Sequence, residues 1–302
     1  MSTLNTGAFA KFLWPGINAI YGKAYNDYPV QYTALFDSYK SGKNFEEDVG
    51  MTSFGLASVK PEGDSITYDT EKMGYITRYT HSVLANGFIV TREMYEDDLY
   101  GAVGGKRAQG LARSMRQTKD TIGANVYNRA FTSTYAGGDG KELCATDHPN
   151  ITGGTWSNEL TTPADLSEAA LEQACIDIGK WTDDSGMKIA ARPKTLIIPI
   201  DLSYEAERIL KSPYRVGTSD NDINALNSMG KFQSWVINHY LTDVDAWFIR
   251  TDVMHGMKHF QRRALSFAID NEFDTENAKF KAIERYSFGW TDPRGVYGSP
   301  GA

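Results

Sequence analysis

Cysteine is nearly absent: Cys144 and Cys175 are the only two in 302 residues. They are too few and too separated for a disulfide framework or a zinc site, and read as inert thiols of a reducing cytosol. No apolar run approaches the roughly 20 residues that a membrane helix needs. The opening MSTLNTGAFAKFLW lacks the cleavage pattern of a secretory leader. The expectation is a protein made and kept in the cytoplasm, away from membranes. Positive charge is also short, with 31 Lys and Arg against 38 Asp and Glu, a net charge of -7. Strong phosphate binding needs a net positive field, so any contact with nucleic acid has to be local.

Catalytic and metal-binding patterns are missing as well. GAVGGKR (residues 101–107) is one residue short of a phosphate loop, and Arg107 stands where a Ser or Thr must meet magnesium. Asp220, Asp222 and Asn224 begin like a calcium loop, but Ala225 and Lys231 occupy the positions of the required Gly and Glu. His255 and His259 have the i, i+4 spacing of a shared metal, yet Gly256 replaces the Glu of a zinc protease and no third ligand follows. They read as two surface histidines. There is no G-x-S-x-G elbow, and pairs such as Asp183 with Asp184 or Asp243 with Asp245 occur in any soluble protein. The expectation is no enzyme, no cofactor and no metal.

What is present is a foldable composition, 41% hydrophobic and 23% charged, rich in aromatics with 17 Tyr and 6 Trp. Such side chains are enriched where surfaces bury one another. Residues 1–48 mix aromatics with Gly, Pro and Asn in no sustained period. They read as an extended arm with a short helix near residues 8–13, lying on its own domain or on a neighbour. Residues 54–91 turn to Thr, Tyr, Ile and Val around the turn cluster PEGDS, which predicts a long hairpin. Its interspersed charges leave it unable to bury either face at home, so it projects into solvent or lies across another molecule.

From Lys106 to Phe131 the pattern is helical, with Ala108, Leu111, Ala112, Met115, Ile122, Val126 and Ala130 on one arc. Six basic residues against Asp120 alone make this segment +5. Lys106, Arg113 and Arg116 fall outside the apolar arc and form a basic face, while Lys119 and Arg129 fall within it. That face is a solvated surface, a partner for the acidic Glu96, Asp97 and Asp98, or a contact for phosphates or an acidic scaffold. A helix opened by Thr162 as cap and Pro163 at the first position comes next. RPKTLIIPI then predicts a strand, SYEAERILKS a helix, QSWVINHYLTDVDAWFIRTD two strands, and ALSFAID with KFKAIERYSFGW long closing strands. Helices and strands mix without a βαβα rhythm, so the class is α+β.

The stretches GFIVTREMYEDDLYG, NRAF…GGDGKELCATDHP, PKTLIIPIDLSYEAERIL and NAKFKAIERYSFGWTDPRGVYGS resemble, in that order, the HK97-fold major capsid proteins of tailed bacteriophages, specifically the Mu-like major head subunit group. The resemblance spans nearly the whole chain. It implies an N-terminal arm (1–48), an extended loop over a neighbouring subunit (49–90) and a peripheral domain with a long spine helix (91–185 and 256–295). It further implies an axial domain (186–255) and a C-terminal tail (296–302). The subunit would assemble with itself, as pentamers and hexamers, into an icosahedral shell of the virion around double-stranded DNA. Scaffold and portal proteins would be partners, and contact with packaged DNA would be non-specific.

Under the same resemblance the hairpin tip, Pro61, Glu62, Gly63, Asp64 and Ser65, would sit on an adjacent subunit, and Lys106, Arg113 and Arg116 would face inward. Some relatives carry a long scaffolding segment ahead of the arm; its lack implies a separate scaffold or prior removal. No cross-link is assigned to Lys60. An encapsulin-like shell around cargo enzymes is the nearest alternative. A tail or baseplate protein, and a hydrolase using scattered acids and His148, are more remote.

Overall fold

The computed structural model describes residues 6–97, 102–215, 222–272 and 277–302. In chain order come helix α1 (Thr6–Asp27), the single turn α2 (Tyr32–Leu35), strand β1 (Asp37–Lys40), the paired strands β2 (Phe45–Met51) and β3 (Met73–Thr80), and β4 (Ser82–Val90). Short α3 (Arg92–Asp97) precedes α4 (Ala102–Asn128), about 40 Å long at 1.5 Å per residue. Strands β5 (His148–Pro149) and β6 (Thr155–Trp156), helix α5 (Glu168–Lys180), strand β7 (Pro193–Ile198), helices α6 (Ser203–Lys211) and α7 (Ala225–Ser228), and strands β8 (Ser234–Ile237) and β9 (Trp247–Thr251) follow. The chain closes with β10 (Met257–Asn271), β11 (Ala278–Trp290) and β12 (Val296–Ser299).

Two four-stranded sheets organise these elements, ordered β1-β10-β11-β4 and β12-β9-β7-β8. In β11 the alternation of KFKAIERYSFGW puts Phe280, Ala282, Glu284 and Tyr286 on one buried face, as a period of two requires. That face packs on α4 and α1 through Ala108, Leu111, Ala112, Met115, Ile17 and Tyr21. The second sheet is apolar along β7 and β9 and buries Ile198, Trp247 and Ile249 with Leu171, Ile178 and Tyr297. Mixed parallel and antiparallel pairing with helices packed against each sheet makes the fold α+β.

Several sequence expectations change here. β4 lies within the stretch read as an extended loop, yet it pairs along its whole length with β11, because its even-numbered residues continue the buried face. β12 lies in the stretch read as a tail, yet it is an edge strand of the second sheet. Residues 53–72 form no strand, only a turn at the tip; the hairpin ladder is β2 with β3, and β2 lies ahead of the run chosen by composition. α5 is capped by Ser167, whose side chain accepts from the Ala170 N–H, so Thr162 and Pro163 precede the helix. His255 is exposed with φ 60, but His259 is buried and stacked on Phe288 at 4.5 Å. Asp98, offered with Glu96 and Asp97 as a partner of the basic face, and Asp220 of the calcium-like loop lie outside the described residues.

The largest departure is the arm. Its first 22 described residues are one helix, and α1 lies along α4. Tyr21 stacks on Phe267 at 4.3 Å, and a polar seam runs beside that contact. The Arg116 guanidinium lies 3.9 Å above the Tyr25 ring and donates to the Tyr25 carbonyl at 3.1 Å. Tyr25 Oη donates to Glu284 at 2.6 Å, and Lys119 Nζ reaches the other Glu284 oxygen at 3.3 Å. Arg116 is therefore buried beneath the arm and forms no part of an exposed basic face; the periodicity that placed it outside the apolar arc took no account of α1. Asp120 Oδ1 accepts the backbone N–H groups of Gln31 and Tyr32 at 3.0 and 2.9 Å, capping α2 from 88 residues away.

His259 gives a pH test. Burial, with the nearby Lys119 charge, pulls its imidazole down to about 3 from an ordinary 6.5. Between those values the unfolded chain takes up a proton that the folded chain refuses, so stability falls as pH falls across that window. His259→Phe should flatten the decline in melting temperature from pH 6.5 toward 3. An unchanged slope in a thermal-melt series over that range would exclude His259 as its source.

Candidate functional site

The hairpin β2–β3 is anchored at its root and bare beyond it. At the root, Asp48 accepts from Thr291 Oγ1 at 2.7 Å and from the Lys258 ammonium. Burial pushes the Asp48 carboxyl up, but the Lys258 and Thr291 donors outweigh it and hold it below the usual range. Tyr79 is buried, its hydroxyl 2.6 Å from Thr291 Oγ1 and its ring against Phe260. That ring lies so close over Gly289 that a Cβ there would meet it at 2.9 Å. His81 bridges Ser41 and Ser287 at 3.0 and 2.9 Å, and Arg285 donates to Asn44 at 2.5 Å.

A neck closes this root. Thr52 N–H donates to the Lys72 carbonyl at 3.0 Å and Thr52 Oγ1 accepts from Lys72 N–H at 2.8 Å. Ser185 Oγ donates to the Ser53 carbonyl at 2.7 Å.

Past the neck, every residue from 53 to 73 is exposed. Asp69 holds the two arms of this lobe together through Gly55 N–H at 2.7 Å, and Gly63 takes the turn at φ +86, a conformation open to glycine. Leu56, Val59 and Tyr68 are 87%, 94% and 89% exposed, and Phe54 and Ile66 more than half. Isolated exposed apolar residues are ordinary, whereas clusters such as these five on one lobe are the kind of surface that interaction sites present. At roughly 25 cal/mol per Å² of apolar area, its burial on a partner is a strong drive. The predicted tip residues Pro61, Glu62, Gly63, Asp64 and Ser65 all lie at its exposed end.

The basic face is smaller than predicted. Lys106 and Arg113 are exposed on α4, beside a shallow groove of about 360 Å³ lined by Arg113, Ser114, Gln117 and Thr118. Arg107 donates to the Ile89 carbonyl at 2.8 Å. Arg116 and Lys119 belong to the buried seam.

The other residues weighed for chemistry have structural surroundings. His148 is fully buried, 2.6 Å from Asp139 and 3.1 Å from Asn158 Oδ1. Asn158 turns its amide toward the carbonyls of Leu143, Pro293 and Val296 and ties three loops together. Burial pushes the Cys144 thiol well up and that of Cys175 up to about 11, the reverse of a nucleophile. Among the described residues no cluster of three His, Cys, Asp or Glu is placed to hold a metal, and no helix is long and apolar enough to cross a membrane.

The root network was missed in the sequence because its partners are distant. Asp48 and Thr291 are 243 residues apart, and His81 and Ser287 are 206 apart. The sole local hint was a density of polar residues in strands that otherwise read as β.

A family model described as phage capsid protein matches residues 74–299. Comparison with the sequences of curated proteins gives no match. Among solved structures, the procapsid of bacteriophage JBD30 is similar with TM-score 0.53 at 13% identity, over 97% of this chain and 75% of that one. The mature capsid of bacteriophage PhiM1 gives 0.55 at 12%, over 90% and 86%. A virus-like particle from Pyrococcus furiosus gives 0.50 at 10%, over 94% and 97%. At these identities the likenesses show the HK97-type fold. The matches do not single out the Mu-like group.

Proposed function

The chain belongs to the phage capsid protein family, and from that premise we propose that it is the major head subunit of a tailed phage, closing with its own copies into an icosahedral shell around double-stranded DNA. As a capsid subunit it is a structural protein of the virion. The observation that carries the reading furthest is the anchored hairpin with its bare apolar lobe, a surface that no described part of its own chain covers. Closed symmetric shells use heterologous contacts, in which one surface of a subunit fits a different surface of the next. The lobe supplies one side of such a contact, with residues 61–65 at its reach.

In this reading α1 and α2 form an arm that lies on its own subunit, the β1-β10-β11-β4 sheet with α4 forms the peripheral domain, and the β12-β9-β7-β8 sheet forms the axial domain that meets its copies around five-fold and six-fold axes. Lys106 and Arg113 face the interior, toward DNA or an acidic scaffold. Assembly takes place in the host cytoplasm, guided by scaffold and portal proteins.

Negative-stain microscopy of the purified protein tests the core of this. Polyhedral shells or ring-shaped capsomers are expected, and a persistent small monomer would refute it. Nuclease-resistant DNA in particles from infected cells separates a phage head from a shell around cargo enzymes. The double substitution of Lys106→Gln with Arg113→Gln should reduce particle yield or DNA content several-fold while the free subunit's melting temperature stays unchanged. Arg116→Gln, by contrast, should lower that melting temperature because Arg116 is buried against Tyr25. Full yield and DNA content in the double variant would remove the interior role.

A further inference from the structure

The hydrogen bonds around His148 fix where its protons are. Asn158 turns its amide nitrogen to the carbonyls of Leu143, Pro293 and Val296 at 2.7, 3.0 and 3.0 Å, and its Oδ1 accepts the Ala145 N–H at 2.9 Å. The amide therefore has one orientation, with its oxygen 3.1 Å from His148 Nε2. An amide oxygen has no hydrogen to give, so Nε2 carries a proton and donates it. The other ring nitrogen, Nδ1, lies 2.6 Å from Asp139 Oδ2. A bare lone pair facing a carboxylate at that distance would be repelled, so a second proton lies between them. An imidazole set between two acceptors is an imidazolium.

The surroundings favour that charge. The His148 side chain is wholly buried and that of Asp139 only 6% exposed, so solvent does little to satisfy either. The ring stacks on Trp156 at 4.7 Å, and the Arg294 guanidinium lies 4.3 Å from the same indole; aromatic faces attract cations. Arg294 also reaches Asp184 at 3.1 Å and Asp292 at 3.5 Å, while Lys141 pairs with Asp147 at the rim. From β3, Tyr75 faces the same group: burial, then the Asp139 and Asp184 charges, push its phenol up. Among these described groups, a neutral His148 would leave Asp139, Asp184 and Asp292 to share Arg294.

The pair bridges the two loops on which the hairpin root rests. Asp139 follows Gly137 and Gly138, which lie so close to Trp290 Nε1 and to the Ile76 carbonyl of β3 that a Cβ would meet them at 2.6 and 2.9 Å. His148 opens the other loop, where Ile151 Cδ1 would stand 2.6 Å from a Cβ on Gly74, also in β3. We propose that doubly protonated His148 is a proton-operated clamp on the hairpin seat. With the ring charged, the loops around Asp139 and Ile151 are drawn together against β3, and loss of the Nδ1 proton as pH rises frees the hairpin to change its stance. The clamp belongs to the single subunit and does not depend on shell formation.

The full-length chain provides the test. Long-range nitrogen–proton spectra of nitrogen-labelled protein at neutral pH, assigned by the signal that His148→Gln removes, should show His148 protonated on both nitrogens. A single proton, on Nε2, would overturn the assignment. In the unaltered chain, raising the pH until the ring loses one proton should lower the amide-exchange protection of residues 74–77 and 137–141 roughly tenfold, after correction for intrinsic rates, with β9 still protected. Protection that stays constant while the proton leaves would overturn the clamp. His148→Gln, whose one amide nitrogen cannot reach both acceptors, and Asp139→Asn, which removes the counter-charge, should each produce the same local loss at neutral pH. Wild-type protection in both variants, or an equal loss in β9, would also overturn it.

Discussion

Replacing residues 53–71 by a two-residue Asn-Gly turn should abolish shell formation while leaving the subunit folded. Thr52 and Lys72 already face each other across the neck, joined by hydrogen bonds of 3.0 and 2.8 Å, so a tight turn of the hairpin type can close the gap. Among the described residues the excised lobe is tied to the rest of the chain by the Ser53 carbonyl's hydrogen bond from Ser185 and contributes no buried side chain. Its loss should therefore change subunit stability by only about 0.5 kcal/mol, as for exposed sites generally. Assembly, in contrast, loses the apolar contacts of Phe54, Leu56, Val59, Ile66 and Tyr68 at every copy of the interface. Sedimentation should show monomers or capsomers and no particle peak. Normal shells from this deletion would show that the lobe is dispensable and would sink the intersubunit role.

The second large effect is on the subunit itself. Lys119→Met should destabilise it by about 3–5 kcal/mol, lowering the melting temperature by roughly 10 °C. Lys119 and Glu284 are almost wholly buried, 4% and 1% exposed at the side chain, so removing the ammonium leaves a carboxylate with the Tyr25 hydroxyl as its remaining donor. Burial pulls the Lys119 ammonium down, against the opposing pull of Glu284. The penalty lies in the orphaned charge. Lys119→Met combined with Glu284→Leu should recover most of the loss, since hydrophobic replacement of a whole buried pair is often neutral. Equal losses in the single and double variants would show that packing, and not charge, sets the cost.

The seam also marks where sequence reasoning reached and where it stopped. Lys119 fell within the apolar arc of α4, and it proved to be buried there with a partner 165 residues away. Arg116 fell outside the arc, which is sound for a helix packed on one side only. It failed because α1 covers a second side, and the period of α1 was hidden among Gly, Pro and Asn in WPGINAIYGKAYND. Strands whose alternation is strict, such as β11, were read correctly, as was the long helix. The lobe was located, but its arms were taken for strands. Ile66 and Tyr68 have β-type side chains, and the ladder they would need has no second strand within the subunit.

The parallel pairing of β1 with β10 has a consequence for timing. Ser38 and His259 meet across 221 residues of chain, and at ribosomal speeds of about 5–20 residues per second the interval between their synthesis is roughly 10–45 s. The main sheet cannot close until nearly all of the polypeptide has left the ribosome. Copies growing side by side on one message are thus unable to present a finished sheet to one another, and polymerisation waits for released chains.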